Sequence, residues 1–279
     1  MPLPSPLPSP WQDPLHGTML RALFPTGLGM MEFQDKRVIV TGAGGIYGRW
    51  IARAFAREGA RLCLSDNRAE ALESLAEELA LPEERVMLHR TELMEEASIR
   101  DLAAHVKAGW GGVDILVNNA GIYPGGDLFD LPTSEWDRVF GVNVRAVFIL
   151  SREVAHLMVA EGVQGCIVNI SSGASRKMNP ARVAYCTSKT TLDRLTKGLA
   201  LDFAPRGIRV NAVEPGFAPG SEVSPLSDEY VSNMLARIPL GRTSGPDDAA
   251  AAVLYLCSGK ASYVTGATLT VDGGNSIRT

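Results

Sequence analysis

The chain has 279 residues, 46% of them hydrophobic and 21% charged, with a net charge of −4. That length suits one large α/β domain or two small ones. The acidic balance lacks the electrostatic footprint of a nucleic-acid binder, and no apolar stretch reaches the ~18 residues of a membrane span, so neither partner is expected.

Residues 1–33 differ from the rest. Pro2, Pro4, Pro6, Pro8, Pro10 and Pro14 alternate with Leu, Ser and Trp, a pattern that cannot enter a helix or sheet interior and predicts an extended or disordered tail. It has no charged region followed by an apolar one, so it does not read as a secretory signal. The folded part is expected over 34–279 as one domain, starting near Met30 or Met31.

From Lys36 short apolar runs alternate with amphipathic ones. Strands are predicted at 38–40, 62–64, 86–88, 115–117, 166–168, 210–213 and 269–271, and helices at 46–58, 68–80, 96–108, 134–161, 183–204 and 246–258. The strands are apolar on both sides of the pleat, as in a parallel sheet covered on both faces. The helix over 68–80 shows its inward stripe in Leu72, Leu75, Ala76 and Leu79. Pro246, followed by Asp247 and Asp248, reads as the start of the last helix. The alternation predicts a seven-stranded, mainly parallel, doubly wound sheet with helices on both faces.

The first strand runs into Thr41-Gly42-Ala43-Gly44-Gly45-Ile46-Tyr47-Gly48, with a helix behind it. Strand, glycine turn and helix together form the context of a dinucleotide site: glycines let the backbone approach a pyrophosphate, whose charge the helix N-terminus meets. Asp66 ends the second strand. A carboxylate there can accept from both ribose hydroxyls of NAD and repels the extra phosphate of NADP, whereas nearby Arg68 favours a phosphate. Asp66 also suits an N-cap of the next helix. Asn118-Asn119-Ala120-Gly121 follows the fourth strand, where small and amide residues fit either a backbone passing close to a nucleotide or an ordinary turn.

Tyr185 and Lys189 are four apart in a helical run and project side by side. An ammonium beside a phenol favours its ionised form, which makes a proton donor and acceptor if both groups line a pocket. The same spacing also occurs on solvated helix faces. Cys63, Cys166 and Cys257 read as small core residues of a reducing, cytoplasmic protein, and Cys186 as either another or a reactive thiol. His16, His89, His105 and His156 have no metal-ligand spacing, so no metal is expected.

Taken in order, the turn from Thr41, Asp66, Asn118 to Gly121, Asn143, Ser172, Tyr185 with Lys189, Pro215-Gly216, and the closing stretch from Tyr263 to Gly274 resemble the short-chain dehydrogenase/reductase family in its ~250-residue form. The likeness covers 34 to about 275. It implies that Tyr185 is the general acid/base, that Lys189 lowers its pKa and holds the nicotinamide ribose, and that Ser172 binds the substrate oxygen. Asn143 would complete a proton relay through water. NAD is the implied cofactor, contacted by Gly42, Gly44, Gly45, Ile46, Tyr47, Gly48, Asp66, Asn67, Glu92, Leu93, Asn119, Ala120, Gly121, Pro215, Gly216 and Phe217 besides the Tyr-Lys pair. Three positions depart from the family pattern: Ile46 stands where a glycine is usual, Glu92 where an Asp touches adenine, and Gly220 where a Thr meets the nicotinamide carboxamide, with Ser221 as the candidate replacement.

Segments 173–184 and 217–238 should wall the substrate pocket. Tyr123, Met178, Val183, Phe217, Leu226 and Met234 suggest a small-molecule secondary alcohol or ketone with an apolar body, while Arg176, Lys177 and Arg182 suit either solvent or an anionic substrate group. The resemblance implies a homotetramer or homodimer. The alternatives are an NADP-dependent 3-oxoacyl reductase and a nucleotide-binding sensor without turnover.

Overall fold

A computed structural model of the chain describes residues 31–218 and 226–277. The Pro-rich stretch to residue 30 and the candidate anchor Ser221, with Gly220, lie outside the described residues. Seven strands form one sheet: β1 (Arg37–Thr41), β2 (Arg61–Asp66), β3 (Val86–Arg90), β4 (Ile115–Asn118), β5 (Cys166–Ile170), β6 (Arg209–Pro215) and β7 (Thr268–Val271). Their order is β3-β2-β1-β4-β5-β6-β7, and every adjacent pair is parallel. The order reverses between β1 and β4, so the crevice of a doubly wound sheet opens outside the carboxyl ends of those strands.

Successive strand residues point to opposite faces, which splits the core in two. On one face Val38, Val40, Leu62 and Leu64 pack against Phe55 of α1 (Ile46–Arg57), Leu72 and Leu75 of α2 (Ala69–Leu79), and helix Asp248–Cys257. On the other, Ile39, Cys63, Leu116 and Ile167 meet Leu102 of α3 (Glu96–Trp110), then Leu150 and Met158 further along the chain.

The helix predicted over 134–161 is interrupted. It consists of α4 (Thr133–Phe140), a π turn over Gly141–Arg145, and α5 (Ala146–Ala160). The wider turn departs from 3.6-residue spacing, so apolar periodicity does not reveal it. Asn143 sits in that turn, fully buried.

Next come the 21-residue α6 (Val183–Phe203), the short α7 (Asp228–Leu235) and α8 (Asp248–Cys257). The last does not start at Pro246. The Asp248 carboxylate accepts from the Gly245 N–H at 2.7 Å and from Arg242 at 2.8 Å, which folds the preceding residues into a turn before the helix begins. Cys186 is buried and so is not presented as a reactive thiol, and the four cysteines are free. Among the described residues no helix is long and apolar enough to cross a membrane, and no cluster of His, Cys, Asp and Glu could hold a metal ion.

Candidate active site

The glycine turn leaves β1 at Thr41. Gly42 has φ +61°, and a Cβ there would lie 2.7 Å from the Ala120 Cα. At Gly48 a Cβ would stand 2.1 Å from the Gly42 carbonyl oxygen, and at Gly44 it would stand 2.6 Å from the Ala71 Cβ. These positions admit no side chain. Gly45 is the N-cap of α1 and no side chain caps that end. A tight, glycine-rich turn leading into an uncapped helix N-terminus fits a pyrophosphate. Ile46, at the position where glycine is usual, is the first residue of α1, in ordinary negative-φ backbone that a β-branched residue adopts without strain.

Asn119 fastens this turn to β4. Its amide donates to the carbonyls of Thr41 at 2.9 Å and Gly42 at 3.0 Å, while the Thr41 hydroxyl accepts from the N–H groups of Asn119 and Ala120, each at 3.1 Å. Asn118 is buried one residue earlier and bonds Ser151 and Asn169, inside the sheet rather than in the crevice.

Asp66 closes β2 as expected in position, but its carboxylate is already engaged. It accepts from the Gly44 N–H at 3.0 Å and takes a two-pronged ion pair from Arg68, Nε at 3.0 Å and Nη2 at 3.2 Å. It also accepts from the Arg68 N–H at 3.2 Å, yet the N-cap of α2 is Arg68 itself, without a side-chain cap, so the capping reading of Asp66 fails. Asn67 is exposed, and its carbonyl accepts from Arg90. Glu92 is exposed and turns back on the Met94 N–H at 3.2 Å, while Leu93 is half-buried against the second core face.

The second half of the crevice gathers at the carboxyl end of β5. Ser172 follows the strand, and its hydroxyl accepts from the Ala174 N–H at 3.2 Å, capping a short 3-10 turn. It faces the phenol of Tyr185, in the first turn of α6. Lys189 lies one turn on, buried, and donates to the Ile170 carbonyl at 2.8 Å. Its ammonium lies 5.9 Å from the centre of the Tyr185 ring. A Cβ at Gly121 would lie 3.4 Å from both the Lys189 Nζ and the Asn143 Oδ1, so these two side chains converge on that glycine. Asn143 itself accepts from the Ile122 N–H at 2.9 Å and donates to the Ile122 carbonyl at 2.9 Å and the Ser188 hydroxyl at 3.0 Å.

The electrostatics differ from a simple ammonium–phenolate pair. Burial pushes the Tyr185 phenol above its ordinary value, and the Ser172 hydroxyl opposes that. Burial also brings Lys189 down to about 8, with the negative charge of Asp193 working the other way. In the chain alone, therefore, Tyr185 is held neutral rather than activated, because both partners are desolvated together.

Three features of the site were not read from the sequence. The Tyr47 phenol reaches the Gly216 carbonyl at 2.9 Å. Asp193, one turn beyond Lys189 on α6, is raised by burial and by the nearby carboxylate of Glu214; its i+4 spacing from Lys189 was the available signal. Glu214 is 1% exposed and accepts from Ser175 at 2.6 Å, from Thr270 at 2.7 Å and from Arg176. Arg176 thus belongs to a buried carboxylate, Lys177 donates to the Asn275 carbonyl at 2.7 Å, and Arg182 donates to the Tyr123 carbonyl. Pro215 is the last residue of β6, and Phe217 packs on Tyr230 of α7 with ring centres 5.9 Å apart. Around the mouth, Tyr123 lies 6.1 Å from Tyr185 ring to ring, and Tyr123 and Met178 are 52% and 68% exposed.

Known proteins resemble this chain in sequence and fold. A family model described as Enoyl-(Acyl carrier protein) reductase matches residues 42–276. Nodulation protein G of Rhizobium sp. (strain N33) is 40% identical over 88% of this chain and 98% of its own length. A 3-oxoacyl-[acyl-carrier-protein] reductase of Thermotoga maritima is 35% identical over 88% of the chain and 99% of its own. The solved structure of a 7α-hydroxysteroid dehydrogenase complexed with NADH and 7-oxo glycochenodeoxycholic acid superposes with a TM-score of 0.81 and 35% identity, covering 88% of this chain and 96% of that one.

Proposed function

The chain belongs to the short-chain dehydrogenase/reductase family of oxidoreductases, and from that premise we propose that it interconverts a secondary alcohol and a ketone with NAD as its cofactor. The observation that carries this reading is the convergence of Ser172, Tyr185 and Lys189 beside a tight, glycine-rich turn. A nicotinamide bound there supplies the hydride chemistry.

The chain's own groups handle the proton and the charge. In the reductive direction the Tyr185 phenol gives its proton to the substrate oxygen, and the Ser172 hydroxyl donates a hydrogen bond to that oxygen as charge develops. Tyr185 ends the step as a phenolate, which the Lys189 ammonium stabilises. The Ile170 carbonyl keeps that ammonium in place. Asn143 Oδ1 accepts one bond from Ile122 and keeps a second lone pair for a relaying water.

The apolar rim of Tyr123 and Met178 supports a ketone with an apolar body. The internal engagement of Arg176, Lys177 and Arg182 supports an uncharged one. Phe148 and Val159 on α5 and Leu201 on α6 are exposed apolar residues, which supports assembly of the chain through those helices.

The cofactor choice rests on Asp66, whose carboxylate would accept from the ribose hydroxyls once Arg68, 36% exposed, swings aside. Arg68 also favours a second reading, an NADP-dependent enzyme that acts on 3-oxoacyl substrates, the activity in the name of the Thermotoga relative. Fluorescence titration separates the two. NADH is expected to bind the wild-type chain about tenfold more tightly than NADPH, and Asp66→Ser to reverse that order. A wild-type preference for NADPH would overturn the choice of NAD and support the cofactor of the second reading.

A further inference from the structure

Tyr47 belongs to the glycine turn by sequence, but its side chain works at the far end of the crevice. The phenol crosses to the carboxyl end of β6 and donates to the Gly216 carbonyl at 2.9 Å. The Trp50 ring meets its ring edge-on, with centres 5.3 Å apart, and holds it in that direction. Gly216 runs close against the Asp272 backbone, where an added Cβ would stand 2.8 Å from the Asp272 Cα. The phenol lies beside the Ser244 hydroxyl, within electrostatic reach of Tyr185. It is therefore placed between the turn that suits a pyrophosphate and the tyrosine that suits a reacting carbonyl.

A phenol has one proton and accepting lone pairs. Burial pushes Tyr47 up to about 12, so the proton stays on the oxygen, and the Gly216 carbonyl takes it as a hydrogen bond. The oxygen keeps accepting capacity, which it shares with the Ser244 hydroxyl beside it. A dinucleotide laid from Asp66 across the turn toward Tyr185 would bring its nicotinamide half toward this place, and the carboxamide of that ring carries an NH2 donor.

We propose that the Tyr47 phenol oxygen accepts a hydrogen bond from the nicotinamide carboxamide. The proposal rests on the dinucleotide reading given above. It makes Tyr47 a binding residue for one end of the cofactor and leaves the adenosine half untouched.

The test is calorimetric titration of wild type and Tyr47→Phe with three ligands: NADH, its reduced 3-acetylpyridine analogue, in which a methyl group replaces the amide NH2, and ADP-ribose, which lacks the ring. Tyr47→Phe is expected to weaken NADH about tenfold while shifting the analogue and ADP-ribose less than about twofold. Retained ADP-ribose binding also shows that the variant is folded. NADH affinity unchanged by the substitution, or the analogue weakened as much as NADH, would overturn the proposal alone. A wild-type chain that binds none of the three would overturn the dinucleotide reading and this proposal with it.

Discussion

Replacing Tyr185 by Phe should lower the rate of ketone reduction by about 10²–10⁴-fold while leaving dinucleotide affinity nearly unchanged. The ring stays and only the hydroxyl goes, so packing against Tyr123 and over Lys189 survives. The wild-type pH profile carries a matching signature. Reduction leaves a phenolate on Tyr185, and an ammonium at Lys189 favours that product. Lys189 loses its proton as pH rises through about 8, so kcat for reduction should be highest below that value and decline above it. Steady-state assays from pH 6 to 10 read both effects (an assay range, about two units either side of the transition). A Tyr185→Phe enzyme that keeps the wild-type rate would remove the phenol from the chemistry.

The second large effect is expected at Gly48. An alanine there would place its Cβ 2.1 Å from the Gly42 carbonyl oxygen and 2.7 Å from the Ala43 Cα. Both neighbours are backbone, and Asn119 pins the Gly42 carbonyl, so the turn can relieve the overlap only by moving as a whole. Gly48→Ala should therefore cost about 1–3 kcal/mol of stability and weaken dinucleotide binding roughly tenfold to a hundredfold. Gly45→Ala is the control. Its Cβ would meet the Gly42 oxygen at 3.3 Å, a contact that a small shift accommodates. Denaturant unfolding and dinucleotide titration of the two variants should separate them clearly; equal behaviour would mean that the turn is not the rigid cradle described.

Much of the architecture was legible because it depends on local pattern. Val38-Ile39-Val40 and its counterparts are apolar in both directions, and only a sheet covered on both faces accommodates that. The Tyr185–Lys189 spacing is also local, since one helical turn fixes it. What escaped depends on packing between distant segments or on breaks in periodicity. The π turn that carries Asn143 changes the helical spacing only over Gly141–Arg145. The start of α8 is decided by the Asp248 carboxylate bonding back to Gly245, which overrides the helix-starting character of Pro246. Tyr47 and Gly216 are 169 residues apart, and nothing in either segment announces the bond between them. The charge state of the site was equally hidden. Proximity of Lys189 suggested an acidified phenol, but burial acts on both groups, and it raises one while lowering the other.

The engagement of Asp66 by Arg68 follows the same rule. Each residue has a clear sequence-level reading, one toward ribose hydroxyls and the other toward phosphate, yet two side chains so close in sequence neutralise each other when the backbone lets them meet. Cofactor choice is then a competition between displacing Arg68 and recruiting it, which is why the titration with both dinucleotides carries so much weight for this chain.

The central claim is that hydride passes between a nicotinamide and a carbonyl carbon held at Tyr185. Deuterium tracing tests it most directly. Wild-type protein is incubated with NADH deuterated at both C4 positions of the nicotinamide and with a panel of apolar ketones, and the alcohols are read by mass spectrometry. The account predicts one deuterium on the carbinol carbon of the product, formed by wild type and lost in Tyr185→Phe. An alcohol product without that deuterium, or no alcohol from any ketone with either NADH or NADPH, would contradict it.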